Sequence, residues 1–168
     1  MFVKRLDKED ELLLTHRRNV IRDYQEKGIC FSCQNFISGD IFPDNGLVIY
    51  EDELVRCLFE KYPKATGQTI IVSKHHYEDI SEMPIDLGTH ILKLSDAIIK
   101  LYKKILDAEK VYICTICDGK RNHLHFQLLP RLKGETIGYQ NFAREEGVLI
   151  DYQETANLYR EALKNIKL

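Results

Sequence analysis

The densest chemistry in the chain lies in Asn122-His123-Leu124-His125-Phe126-Gln127-Leu128-Leu129-Pro130-Arg131. Read at the strand period of two, His123, His125 and Gln127 fall on one face and Leu124, Phe126 and Leu128 on the other. One face is then a row of imidazole and amide nitrogens, and the other is core. Pro130, which has no backbone donor, is expected to end the strand. Neutral imidazole is a good nucleophile near neutral pH and its nitrogen can accept a phosphoryl group, so His125 is the candidate nucleophile. Its second ring nitrogen then needs an acceptor, expected to be a backbone carbonyl. The competing reading is a half-solvated strand that happens to carry two histidines.

A second constellation is Cys30-Phe31-Ser32-Cys33. Two thiolates separated by two residues supply half of a tetrahedral zinc site. Cys114 and Cys117 repeat the spacing, but on an expected strand they face opposite sides and chelate poorly. They read as one core thiol and one facing outward. Better partners are His75-His76, after the third expected strand, and His123. A four-cysteine site and a metal-free Cys-X-X-Cys stay open as alternatives. Together with Cys57 the cysteines number five, an odd set that suits metal ligands or buried thiols in a reducing compartment. His16 and His90 stand alone in expected helices and read as surface or packing residues.

The elements that must position these groups follow from periodicity and turn chemistry. Residues 7–27 are expected to be helical, capped by Asp7, ended by Gly28, with Leu12, Leu13, Val20, Ile21 and Tyr24 as the apolar face. Ser38-Gly39-Asp40 and Pro43-Asp44-Asn45-Gly46 are turns. Strands are expected at 47–51, 54–60 and 68–73. Pro84 opens a long helix to about Ala108, with Leu87, Ile91, Leu94, Ile98, Tyr102 and Ile105 at steps of three and four. Residues 110–117 form a strand that pairs as a hairpin with the histidine strand across Asp118-Gly119. Residues 132–147 are loop, and 151–166 a closing helix. The plan is α+β, an antiparallel sheet with helices on one face.

Composition narrows the classes. The chain has 168 residues, 44% hydrophobic and 30% charged, the profile of one globular domain. A formal net charge of -2 gives no field suited to nucleic acid or an anionic membrane. No apolar run approaches the roughly 20 residues of a membrane helix. The first seven residues turn charged too early for a signal peptide, so a cytoplasmic location is expected.

His123-Leu124-His125-Phe126-Gln127-Leu128-Leu129 resembles the signature of the histidine triad family, three histidines alternating with apolar residues. Cys30-Phe31-Ser32-Cys33 followed by Ile37-Ser38-Gly39-Asp40-Ile41 is similar to the start of its zinc-type members. Ile49-Tyr50-Glu51-Asp52-Glu53, Pro63, Gly67 and Ile70-Ile71-Val72-Ser73-Lys74-His75-His76 follow its first three strands. The resemblance covers roughly residues 30–131, flanked by an N-terminal helical extension (1–28) and a C-terminal helix.

The resemblance implies a five-stranded antiparallel sheet with a long helix packed on it, a homodimer built on residues 85–108 and 110–117, and nucleotide substrates cleaved or transferred at the α-phosphate. It assigns the nucleophile to His125, through a covalent nucleotidyl-histidine, and a structural zinc to Cys30, Cys33, His76 and His123. Phe31 and Leu58 are expected at the base, with Phe36 or Ile37 nearby, and Glu60 at the ribose in place of an aspartate. Gln127 replaces the third histidine, as in galactose-1-phosphate uridylyltransferases and dinucleoside polyphosphate phosphorylases. Glutamine can bond a phosphate oxygen but cannot deliver a proton. The loop before the motif is short, and Lys120, Arg121 or Asn122 is expected to contact phosphate. The alternative is a zinc-stabilised nucleotide-binding or interaction protein with little turnover.

Overall fold

Strict alternation along the central strands gives the molecule two unlike faces. The computed structural model describes residues 1–39, 41, 42, 45–166 and 168. In chain order it contains β1 (Phe2–Arg5), α1 (Lys8–Glu26), α2 (Phe31–Ser38), β2 (Val48–Glu51), β3 (Val55–Phe59) and β4 (Thr69–Ser73). Then come α3 (Ile85–Ile105), β5 (Ala108–Cys114), β6 (His125–Leu132), β7 (Gly147–Ile150) and α4 (Gln153–Leu163). Strands β2 to β6 form a five-stranded antiparallel sheet in the order β2-β3-β4-β6-β5, the α+β architecture expected from the resemblance. Of the two expected turns before β2, Asp40, Pro43 and Asp44 lie outside the described residues.

On one face, Val55, Cys57, Phe59, Ile71, Phe126 and Leu128 form a single buried cluster with Ile91, Leu94, Ile98 and Tyr102 of α3 and Ala156, Tyr159 and Leu163 of α4. The opposite face carries the half-buried Arg56, Leu58, Ile70, Val72, His125 and Gln127. Here the structure departs from the expected single helical layer. Helices α3 and α4 cover the apolar face, while α1 and α2 stand over the histidine face and wall a cavity there.

Helix α1 is placed by its caps and by one leucine. Asp7 accepts from the backbone N–H groups of Glu9 and Asp10, both at 3.0 Å, and Asp10 accepts from that of Asp7 at 3.2 Å, a reciprocal capping box. Gly28 ends the element at φ +71°. The apolar face differs from the expected one in its first turns, while Val20, Ile21 and Tyr24 are half-buried. Leu12 and Leu13 are 72% and 53% exposed, and the buried residue is Leu14, packed with Tyr62 and Val148. Leu14, Arg17, Ile21 and Tyr24 recur at steps of three and four, so the inner stripe runs through a cation that breaks the apolar pattern. Strands β1 and β7 pair as a separate two-stranded sheet, unforeseen in the loop reading of 132–147. Gly147 makes that approach possible, because a Cβ there would lie 2.5 Å from the Lys4 carbonyl oxygen.

Three boundaries differ as well. Pro130 does not end β6, which runs on to Leu132. Pairing with β4 stops at Leu128, so a residue without an N–H leaves no ladder broken on that side. Helix α3 stops at Ile105 rather than near 108, because Asp107, at φ 54°, turns the chain into β5. Strands β5 and β6 pair as expected, but their ladder ends at Cys114 opposite Gln127, and residues 115–124 make a loop instead of a tight turn. Cys117 therefore lies beyond the strand, and both Cys114 and Cys117 are half-buried rather than one inside and one out. Among the described residues no helix is long and apolar enough to cross a membrane.

The small cluster under α1 can be tested apart from the sheet core. Leu14→Ala should destabilise α1 by about 2–5 kcal/mol, the usual cost of such a truncation. Hydrogen exchange should show lost protection in α1 and retained protection in β3, β4 and β6. Unchanged protection in α1 would mean that Leu14 does not anchor it.

Candidate metal centre and active-site cavity

Four side chains from three parts of the fold converge on one point. Cys30 is the N-cap of α2 and Cys33 lies in its first turn, His76 follows β4, and His123 precedes β6. Their ligand atoms all lie within 4.8 Å of one another. His123 Nδ1 is 3.2 Å from Cys30 Sγ and 3.4 Å from Cys33 Sγ, and His76 Nδ1 is 3.4 Å from Cys33 Sγ.

Both imidazoles are oriented from behind. His123 Nε2 donates to the Ser73 carbonyl at 2.6 Å, and His76 Nε2 donates to Glu78 Oε1 at 3.1 Å. Each ring thus carries its proton on Nε2 and turns a bare Nδ1 toward the thiols, the arrangement of metal-ligating histidines. Burial and the neighbouring Cys30 push the Cys33 thiol up to about 11. Burial also holds His123 below the usual imidazole range, so it is neutral at physiological pH. A divalent ion would reverse the thiol effect, because its charge stabilises thiolate. Two sulfurs and two nitrogens fit tetrahedral zinc, with all four positions filled by protein. His75 is exposed and outside the cluster, and the half-buried Cys114 and Cys117 also lie apart from it.

His123 also reaches the next histidine. Its carbonyl oxygen accepts from His125 Nδ1 at 2.9 Å, the backbone acceptor anticipated for the candidate nucleophile. His125 Nε2 is therefore the unprotonated nitrogen. Gln127 Nε2 lies 3.4 Å from it.

His125 opens into a cavity of about 400 Å³ between the sheet and helices α1 and α2. Phe31, Leu58, Glu60 and Phe36 line the same cavity. Ile37, the other candidate near the base, is 81% exposed and points away. Asn122 lines the cavity, yet both ends of its amide serve the loop, accepting from Gly119 N–H at 2.8 Å and donating to the Cys117 carbonyl at 3.2 Å. Arg121 reaches the cavity wall while paired with Glu78 at 2.9 Å, and Lys120 is exposed. The Asn122 amide thus shapes the loop, and its Nδ2 keeps a second hydrogen.

Several lining residues escaped the sequence reading. Arg17, Ile21 and Gln25 of α1 face the cavity at steps of four. Phe42 packs on Phe31 with ring centroids 5.6 Å apart, and the Arg17 guanidinium lies 4.6 Å over Phe42. The i, i+4, i+8 stripe was available in the sequence, but nothing there says which face a mixed cation–apolar–amide stripe meets. His90, read as surface or packing, is half-buried and bonded to Asp52 Oδ2 at 2.7 Å, which fastens α3 to the β2–β3 turn.

Comparison with known proteins agrees with this geometry. Residues 44–134 match the HIT domain, more than half of the chain, and the protein belongs to the HIT domain family. Members of that family are generally nucleotide-binding hydrolases or transferases. An uncharacterised HIT-like protein of Methanocaldococcus jannaschii is 29% identical over 143 residues, covering 83% of this chain and 99% of its own. A zinc-bound histidine triad protein from Mycobacterium smegmatis superposes with a TM-score of 0.62 at 26% identity, over 80% of this chain and 93% of its own. A hypothetical histidine triad nucleotide-binding protein from Sulfolobus tokodaii shares the fold, with a TM-score of 0.61 at 21% identity, over 81% and 93% of the two chains.

The metal centre generates a direct test. The purified chain should carry one zinc by elemental analysis. Chelation should lower its melting temperature, and Cys30→Ser should weaken metal binding and stability together. A metal-stripped protein that melts at the same temperature would contradict a structural role for the cluster.

Proposed function

We propose that the protein is a nucleotide hydrolase or nucleotidyltransferase acting at the α-phosphate of a nucleoside polyphosphate, dinucleoside polyphosphate or nucleotide sugar. The observation that supports this reading is His125: Nδ1 is held by a backbone carbonyl, and Nε2 stands beside an amide at the edge of a nucleotide-sized cavity.

In this reading His125 Nε2 attacks the α-phosphorus. A P–N bond forms, the P–O bond to the rest of the substrate breaks, and the leaving group departs as an anion. Proton loss is not needed at Nε2, which is already bare. Gln127 donates to a non-bridging oxygen as charge shifts in the transition state. Water, or a phosphate or sugar phosphate, then attacks the phosphorus: a P–O bond forms, the P–N bond breaks, the electron pair returns to His125 Nε2, and water's proton passes to solvent. Gln127 delivers no proton, so amine leaving groups are poor substrates. Positioning carries most of such a transfer. Cys30, Cys33, His76 and His123 would hold a structural zinc, whose chemistry is to keep β6 and the α2 loop together; no reacting group needs to touch it.

The base would sit between Phe31, Leu58 and the α1 wall, with Glu60 toward the ribose. Apolar walls give affinity with little base discrimination. Metal-ligating thiols suit a reducing, cytoplasmic setting. The homodimer implied by the resemblance also belongs to this reading. Arg160 of α4 bonds the Gly46 carbonyl just before β2 and the Val48 carbonyl at its start, at 2.6 and 2.7 Å, which leaves β5 as the sheet edge suited to a second copy; sedimentation equilibrium tests this.

A second reading, nucleotide binding with little turnover, draws on the missing third histidine and on the Asn122 amide already engaged in its loop. One assay separates the two. Wild type should release mononucleotide from a dinucleoside polyphosphate or nucleotide sugar. His125→Ala should lower turnover by at least about 10³-fold, as expected for loss of a nucleophile, with zinc content unchanged. Tight binding with no release, unaffected by His125→Ala, would favour the binding protein.

A further inference from the structure

We propose that Gln68, outside the histidine strand, is a positioning residue that fixes the polarity of the Gln127 amide and so makes Gln127 a hydrogen-bond donor toward the transferred phosphoryl group. The inference deepens the reading of His125 as nucleophile and rests on it for its kinetic consequence, but not for its geometry.

Gln68 lies one residue before β4 and is 5% exposed. Its backbone is held on both sides, N–H to the Ala65 carbonyl at 3.0 Å and carbonyl to the Glu60 N–H at 2.8 Å. Its side chain bridges two groups. Gln68 Oε1 accepts from the Lys64 backbone N–H at 2.7 Å, and Gln68 Nε2 donates to Gln127 Oε1 at 3.0 Å.

The two ends of the resulting chain can be oriented in one way each. A backbone N–H can only donate, so the Gln68 atom facing Lys64 is its oxygen and the atom facing Gln127 is its NH₂. The Gln127 atom meeting that NH₂ is therefore an oxygen, and the Gln127 NH₂ turns toward His125. From the opposite end, the His123 carbonyl can only accept. His125 Nδ1 thus carries the proton, and Nε2, 3.4 Å from the Gln127 NH₂, presents a lone pair. Two backbone groups, in the β3–β4 connection and just before β6, impose the same direction on three side chains. The Gln127 NH₂ has a second hydrogen, which is left for an oxygen of the substrate.

The reverse orientation would aim the Gln127 carbonyl at both the His125 lone pair and a phosphoryl oxygen. Two acceptors would then face a third, which opposes charge development in the transition state. Gln68 touches neither His125 nor, in this arrangement, the reacting atoms. It acts by denying Gln127 that flip, and its burial shields the bond from competing water.

The test is Gln68→Glu. The carboxylate still accepts from Lys64 but offers no hydrogen to Gln127, so Gln127 must turn its NH₂ toward residue 68 and its oxygen toward His125. In full-length, metal-loaded protein, kcat for nucleotide release should fall by about 100-fold or more, the size of a lost oxyanion donor, with KM changed far less. The preference between the two diastereomers of an α-phosphorothioate substrate should shrink, because the donor that tells the non-bridging positions apart has gone. Mere loosening of the fold would not remove that preference selectively. Gln68→His, which keeps one acceptor and one donor nitrogen, should retain most of the rate. The amide polarity is read independently of turnover, from nuclear Overhauser contacts between the Gln127 side-chain NH₂ and the His125 ring in wild type. Those contacts, with the kinetic pattern above, support the proposal. A Gln127 NH₂ in contact with Gln68 instead, or Gln68→Glu with wild-type kcat and diastereomer preference, overturns it. Retained activity in His125→Ala would instead sink the nucleophile assignment, leaving the amide polarity to the spectra.

Discussion

The arrangement depends on three bonds made by one residue. His123 turns Nδ1 to the cysteine pair, donates from Nε2 to the Ser73 carbonyl on β4, and offers its own carbonyl to His125. It is 7% exposed, and a buried imidazole with both ring nitrogens engaged has one orientation open to it. The metal cluster, the sheet and the candidate nucleophile are thereby parts of one rigid unit. Glu78 extends that unit. Its carboxylate accepts from His76 and Arg121 at one oxygen and from the Asn122 N–H at the other, tying a metal ligand to the loop that leads into β6. The Asn122 N–H and His76 hold Glu78 below the usual carboxylate range, so it is ionised at any physiological pH.

Loss of metal should therefore act on chemistry indirectly. Without a cation the Cys33 thiol resists ionisation, the grip on His123 Nδ1 weakens, and the carbonyl that orients His125 loses one of its supports. The clamp also joins α2 to the sheet, and α2 brings Phe31 and Phe36 to the cavity wall. One centre thus organises both the aromatic wall and the histidine end of the cavity.

How much of this could be read from the chain varies with distance in sequence. The alternation through β3, β4 and β6 is local, and it was enough for the sheet, its buried face and the position of His125. The zinc set was legible because the Cys-X-X-Cys pair and the histidines have characteristic chemistry, although the choice of His76 over His75 rested on resemblance. What was missed depends on long-range contact. Phe2 and Ile150 pair across nearly the whole chain, and four-residue strands carry no periodicity strong enough to announce themselves. The stripe of α1 was misjudged because Leu12, Leu13 and Leu14 are adjacent, and composition does not say which one meets Tyr62. Pro130 misled because the end of β4, not any feature of β6, makes a missing donor harmless there. Nothing local marks Gln68, because its side-chain partner lies 59 positions away.

The proposed chemistry stands on a backbone-held His125 acting as nucleophile through Nε2. The direct measurement is to quench the protein during turnover of a nucleoside polyphosphate under neutral conditions and locate the adduct, by tandem mass spectrometry for the residue and by phosphorus–nitrogen coupling in labelled protein for the ring nitrogen. The account predicts one nucleoside-monophosphoryl group per chain, on His125, bonded to Nε2. An adduct on another residue or on Nδ1, or rapid turnover in which no covalent species ever accumulates in wild type or in slow-acceptor conditions, would contradict it.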